Sequence, residues 1–176
     1  MRVVIVGATG NTGTSLIRAL ADEPAVASIL GLARRLPELE LPKTEWERAD
    51  ITSDELAPHF HGADVVVQLA WLIQPSRREE ATYATNVRGS ARVFEAVAEA
   101  GVPSLVYASS IGAYSPGPKD RPVDESWETK GVGTSFYGRH KAAVEQILDG
   151  FEREHPETTG PARAREALTG VGATSR

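Results

Sequence analysis

The sequence predicts an α/β fold, a doubly wound parallel sheet with helices on both faces, and three observations carry that prediction. Short apolar runs recur at residues 3–6, in VASILGLA (26–33), in ADVVVQLAW (63–71) and in PSLVYASS (103–110). These runs lack alternating polarity of their own, as expected of strands covered on both sides. Between them stand segments with a helical apolar stripe, the order that parallel βαβ units require.

The elements follow in sequence. Val3, Val4, Ile5 and Val6 form the β-branched run of a first strand. Leu16, Ile17 and Leu20 share one stripe of a first helix, which ends before Pro24. The second strand runs out into Arg34 and Arg35. TEWERAD (44–50) is a weaker third strand, and Asp54 begins a short helix carrying Leu56 and Phe60. After the fourth strand, NVRGSARVFEAVAEAG (86–101) is helical, with Val87, Phe94 and Val97 on one face and Gly101 placed to cap it. Pro103 opens the fifth strand, where a missing N–H matters least. A Gly/Pro/Asp-rich loop over 112–133 leads to a last helix with Val144, Leu148 and Phe151 at i, i+4 and i+7. No internal repeat or low-complexity tract interrupts the pattern.

Composition narrows the functional classes. A chain of 176 residues, 41% hydrophobic and 24% charged, suits one soluble globular domain with a real core. The net charge of -5 argues against a nucleic-acid partner, which needs clustered Lys and Arg. Cysteine is absent, which excludes disulfides and thiolate metal sites and fits a reducing cytoplasm. No apolar run is long enough for a signal-peptide core or a membrane span, so a cytoplasmic protein without membrane contact is expected.

The strongest motif is VVIVGATGNTG, in which Gly7, Gly10 and Gly13 follow the first strand and open the first helix. Gly7 permits a sharp exit from the strand, Gly10 a close approach of backbone to a pyrophosphate, and Gly13 tight helix–strand packing. Together with Thr9, Asn11 and Thr12 these residues form a candidate phosphate cradle at a helix N-terminus. A ligand-free tight turn is the plainer alternative, but the position of the motif favours a Rossmann-like dinucleotide site. Such a site for NAD usually carries a carboxylate at the end of the second strand. Here Arg34 and Arg35 stand there, which favours a 2′-phosphate and hence NADP over NAD. The alternative is that both are solvated loop charges. Asp50 and Ile51, at the end of the third strand region, are placed to flank an adenine ring.

In TSFYGRHKAAVEQIL, Tyr137 and Lys141 lie four apart on a helix and face the same way. A tyrosine titrates near pH ~10, and a neighbouring ammonium stabilises its phenolate. Ser109 and Ser110 close the fifth strand at the same sheet edge as the glycine turn, where a hydroxyl could hold a substrate oxygen. Alone, the Tyr/Lys spacing is as well read as a casual surface pair; with the serines and glycines it reads as an acid–base site.

GATGNTG, LAW after the fourth strand, NVRG, VYASSIGAY and YGRHK occur in one order from Met1 to about Phe151. Together they resemble the extended short-chain dehydrogenase/reductase superfamily, and within it the NAD-dependent epimerase/dehydratase family. The resemblance implies that Tyr137 is the catalytic acid/base, with Lys141 lowering its pKa and binding the nicotinamide ribose. It implies that Ser110 is the catalytic hydroxyl with Ser109 its neighbour in the cofactor site. Asn86 matches a structural asparagine, and Leu69, Ala70 and Trp71 would line the cofactor. It also implies nucleotide-sugar or related hydroxyl/carbonyl substrates and a homodimer through paired helices. Arg34 and Arg35 depart from the family's usual acidic position.

His59, His61, His140 and His155 show no ligand spacing, so no metal site is predicted. His140 lies about 100° around the helix from Lys141 and is expected to face solvent. Trp46, Trp71 and Trp127 are expected to be packing residues or pocket walls.

The tail departs from the resemblance. A strand and an Arg-Pro turn should follow the last helix, whereas HPETTGPARAREALTGVGATSR offers only Leu168 and Val171 as large aliphatics. The expectation is therefore a nucleotide-binding domain over 1–154 and an irregular or flexible tail over 155–176, with no strand and without the family's substrate-binding region. A frameshift or truncation near Glu157 would account for this, as would an unusual short member. Two functions follow: an NAD(P)-dependent oxidoreductase, epimerase or dehydratase, or a non-catalytic NAD(P)-binding module or redox sensor.

Overall fold

The computed structural model describes residues 1–74 and 77–163. Among the described residues six strands form one parallel sheet in the order β3-β2-β1-β4-β5-β6. They are β1 (Arg2–Val6), β2 (Ser28–Ala33), β3 (Thr44–Arg48), β4 (Val65–Gln68), β5 (Ser104–Tyr107) and β6 (Thr159–Arg163). Helices α1 (Asn11–Ala21), α2 (Ala57–Phe60), α3 (Glu79–Tyr83), α4 (Gly89–Glu99) and α5 (Phe136–Glu154) connect them. The Rossmann-like doubly wound prediction is met. The order reverses between β1 and β4, and a crevice at such a switch point is where open α/β sheets bind ligands.

The two faces of β1 explain its uninterrupted apolar run. Val4 and Val6 join the larger core with Leu30, Leu32, Val66, Phe94, Val144, Leu148 and Phe151. Val3 and Ile5 point to the other face, where they meet Ile17 of α1 with Ile29 and Val67. Successive side chains of a strand alternate in direction, so both sets must be apolar when both faces are covered.

The sequence expectation for the fourth connection needs extending. The helix expected from residue 86 begins at Glu79 and passes through one π-helical turn, Ala84–Arg88, into α4. Its first part lacks an apolar stripe because its inward residues are Thr82, Thr85 and Asn86, all buried. Polar residues that find hydrogen bonds inside leave no trace in an apolar pattern.

The tail expectation is corrected over part of its length. Residues 159–163, expected to be irregular, form β6 parallel to β5, with Ser104 opposite Thr159 and Tyr107 opposite Arg163. The register slips by one residue between Ser104 and Val106, which leaves Pro161 inside the irregularity. Proline has no N–H to give and is tolerated in an edge strand or bulge. Pairing here rests on the backbone groups of β5's open edge, so no apolar alternation was needed. Residues 164–176, the rest of that expectation, lie outside the described residues. Among the described residues no helix is long and apolar enough to cross a membrane.

Leu148 is fully buried where α5 meets the sheet and α4. Leu148→Ala is expected to cost about 2–5 kcal/mol of stability through lost burial and a residual cavity. Urea unfolding followed by circular dichroism measures it.

Candidate active site

The glycine turn is held as its sequence requires. The amides of Gly7 and Ala8 both donate to the Leu32 carbonyl, at 3.0 and 3.2 Å, and Gly7 adopts a φ of +84°. A Cβ on Gly7 would sit 2.6 Å from the Ala70 nitrogen, and one on Gly13 would sit 2.5 Å from the Ala8 oxygen. Side chains are thus excluded where β1, α1 and the segment after β4 converge. Gly10 caps α1 without a side-chain hydrogen bond, and the first turn carries no acidic residue. Its amides and positive dipole end are open to an anion.

A cavity of about 240 Å³ lies at this edge. Gly7, Thr9, Gly10, Arg34, Ile51, Leu69, Ala70 and Trp71, all predicted for the cofactor, line it together with Leu32, Ala33 and Thr85. Asn11, Thr12 and Gly13 follow in the first turn of α1, behind the cradle. Arg35 is exposed and does not line the cavity. Asp50 adjoins Ile51. Burial pushes its carboxyl up, but the Thr52 hydroxyl and amide and the nearby Arg34 charge together hold it below the usual carboxylate range.

Ser110, Tyr137 and Lys141 gather just beyond Trp71. The Ser110 hydroxyl accepts from the Gly112 amide at 3.1 Å and caps a short 3₁₀ turn. A Cβ on Gly112 would lie 3.1 Å from the Tyr137 ring and 3.4 Å from the Ser110 oxygen, so the phenol and the hydroxyl flank a single glycine. The Lys141 ammonium lies 5.9 Å from the Tyr137 ring centroid. It is buried, and it donates to the Ala108 carbonyl at 2.6 Å and to the Tyr107 hydroxyl at 3.2 Å. Burial lowers its pKa to about 7, against an upward push from the Glu145 charge. The indole of Trp71 covers this ammonium at 3.7 Å and meets the Tyr137 ring edge-on at 5.8 Å. Its N–H is buried without a hydrogen-bond partner.

The model of the NAD dependent epimerase/dehydratase family matches residues 3–160, nearly the whole described chain. The chain belongs to that family. Relatives include the L-arabinose 1-dehydrogenase (NAD(P)(+)) of Haloferax volcanii, 27% identical over 88% of this chain and 62% of that protein. An epimerase family protein of Mycobacterium bovis is 31% identical over 96% of this chain and 53% of its own length. Among solved structures, MoeE5 in complex with UDP-glucose and NAD is 28% identical with a TM-score of 0.72, covering 86% of this chain and 49% of that one. Uronate dehydrogenase from Agrobacterium tumefaciens shares the fold at a TM-score of 0.75 and 21% identity, over 89% of this chain and 57% of that one. The chain thus spans about half to three-fifths of the length of these relatives.

Two residues stand otherwise than the sequence predicts. Ser109, assigned to the cofactor site, is fully buried, and its hydroxyl donates inward to Glu145. His140, expected in solvent, is 1% exposed. It is enclosed because α3 and the π-helical turn pack across that side of α5. The rings of Tyr83 and Phe136 meet its imidazole edge-on, and Glu79 approaches its Nε2 at 3.6 Å. Burial lowers the His140 pKa, opposed by Glu79. The Asn86 side chain accepts from the Leu72 amide at 2.7 Å and donates to the Leu72 carbonyl at 2.8 Å. The wall that carries Trp71 is thereby fixed.

Sequence reasoning missed Tyr107, Gly112 and Glu145. Only Glu145 left a signal: it is a carboxylate in step with Lys141 and next to Val144 and Leu148, on the side of α5 that the apolar residues mark as interior.

Lys141 also sets a pH dependence. Its folded pKa is depressed, so between about pH 7 and its unfolded value of about 10.4 the unfolded chain binds the extra proton. Stability from this group therefore rises with pH across that window and falls as pH drops to about 7. Urea midpoints of the parent should rise from about pH 7 to about pH 9. Lys141→Met should flatten that rise.

Proposed function

We propose that this chain is the dinucleotide-binding and acid–base half of an NAD(P)-dependent oxidoreductase, epimerase or dehydratase. Its substrate is a sugar nucleotide or a related hydroxyl or carbonyl compound. The observation that carries the proposal is the grouping of Ser110, Tyr137 and Lys141 at the sheet edge that also holds the glycine cradle.

The residues fit such a cofactor: an uncapped helix end for the pyrophosphate, Ile51 and Asp50 for the adenine, and the 69–71 wall toward the nicotinamide. Arg34 on the cavity wall favours NADP. When bound, the dinucleotide supplies the hydride acceptor or donor. Tyr137 Oη then moves a proton to or from the substrate oxygen, and Ser110 Oγ holds that oxygen by a hydrogen bond. Lys141 holds a titratable amine 5.9 Å from the centre of the Tyr137 ring. These roles give the Tyr/Lys spacing a use that a surface pair would not have.

One observation favours a second reading, a non-catalytic dinucleotide-binding module. The Trp71 indole already packs against the Lys141 ammonium, 3.7 Å from it. Fluorescence titration with NADPH and NADH, followed by turnover assays with UDP-glucose, UDP-glucuronic acid and L-arabinose, separates the two. Tyr137→Phe should lower turnover about 100-fold or more while binding persists. Equal rates would remove Tyr137 from the mechanism, and binding without turnover on any of these would support the module. Arg34→Ala should weaken NADPH about tenfold and leave NADH unchanged.

A further inference from the structure

Beneath the Tyr137 and Lys141 side chains lies a carboxylate that the reaction above does not use. Glu145 is wholly buried, one helical turn after Lys141 and two after Tyr137. Unsupported carboxylates are not kept inside a protein, because desolvation costs several kcal/mol unless charge and hydrogen bonds compensate. Glu145 has both kinds of support. The Ser109 hydroxyl, at the carboxyl end of β5, donates to Glu145 Oε1. The Lys141 ammonium is buried on the same side of the helix and feels the Glu145 charge.

We infer that Glu145 is a positioning residue of this site, a buried carboxylate that favours the ammonium form of Lys141 beside Tyr137 and ties the strand end carrying Ser110 to α5. The inference rests on the reading of Tyr137 and Lys141 as the acid–base pair. Among the described residues, Glu145 is the negatively charged group that acts on Lys141. From β5 and the residue after it come the Tyr107 hydroxyl and the Ala108 carbonyl. The segment after β4 brings the Trp71 face, and α5 itself brings Tyr137 and Glu145. Tyr107 stays neutral, because burial first and the Glu145 charge second push its pKa up. The indole stabilises a cation but cannot accept its proton.

The geometry also gives Glu145 a mechanical part. Ser109 is adjacent to Ser110, and Ser110 and Tyr137 flank Gly112. Fixing Ser109 against α5 therefore fixes the hydroxyl against the phenol. Lys141 pulls on the same strand end through the Ala108 carbonyl. Two buried residues of α5, four apart, thus hold the same strand end, Lys141 at Ala108 and Glu145 at Ser109.

The test reads Lys141 directly. The chain has four lysines, so isotope-labelled lysine gives a simple spectrum in which Lys141→Arg assigns the resonance. In Glu145→Gln, which keeps shape and hydrogen bonding but drops the charge, the Lys141 titration midpoint should fall by about one pH unit or more. Leu148→Ala, an equally buried change on α5, should leave it in place. An unmoved midpoint in Glu145→Gln, or an equal shift in Leu148→Ala, overturns the inference. Should Glu145→Gln fail to fold, the parent protein still decides: the Glu145 carboxyl carbon must shift with the Lys141 midpoint, and a flat response refutes the coupling. Neither measurement needs dinucleotide or substrate. A failure here removes Glu145 alone, whereas an unimpaired Tyr137→Phe variant removes the acid–base reading.

Discussion

The structure turns on two opposite charges held inside the protein on one face of α5. Lys141 and Glu145 are both buried, and each is satisfied by the carboxyl end of β5: the ammonium by Ala108 and Tyr107, the carboxylate by Ser109. Burying charged groups costs desolvation, which hydrogen bonds such as these offset. Their effect is positional. α5 cannot rotate or slide along the sheet without leaving a charge unpaired, so Tyr137, one turn earlier, is delivered to a fixed place beside Ser110.

A second constraint meets the first at Trp71. The glycine turn brings β1, α1 and the segment after β4 into contact too close for side chains at Gly7 and Gly13. Asn86 then fixes that segment through both backbone groups of Leu72. The indole that results belongs to both halves of the site, as a wall of the cavity and as a cover over the Lys141 ammonium. A cationic group under an aromatic face is a favourable contact. A ribose that is to reach Lys141 must therefore offer the ammonium more than the indole does, or approach it from another side.

Much of this was legible in the sequence because it is local. The residue 3–6 run needs no partner to show that both faces of its strand are covered. Glycine spacing shows a close backbone approach, and the Tyr137–Lys141 interval shows a shared helix face. What was not legible depends on residues far apart in the chain. His140 looks exposed on a helical wheel until α3, which begins at Glu79, is folded against it. Ser109 looks available to a cofactor until Glu145, 36 residues later, takes its hydroxyl. Strand β6 has no apolar alternation in its sequence, and it pairs through its backbone with β5. Thr82, Thr85 and Asn86 hide the first turns of a helix behind buried polar residues.

The central claim is that phenol, amine and hydroxyl stand over the nicotinamide end of a dinucleotide seated in the glycine cradle. Magnetisation transfer from the nicotinamide ring protons of bound NADPH to assigned side chains tests it most directly. The account predicts contacts to Tyr137 and Trp71, with the adenine protons reporting on Ile51. Nicotinamide contacts confined to other residues, or a bound dinucleotide whose nicotinamide touches no side chain while its adenine does, would contradict it.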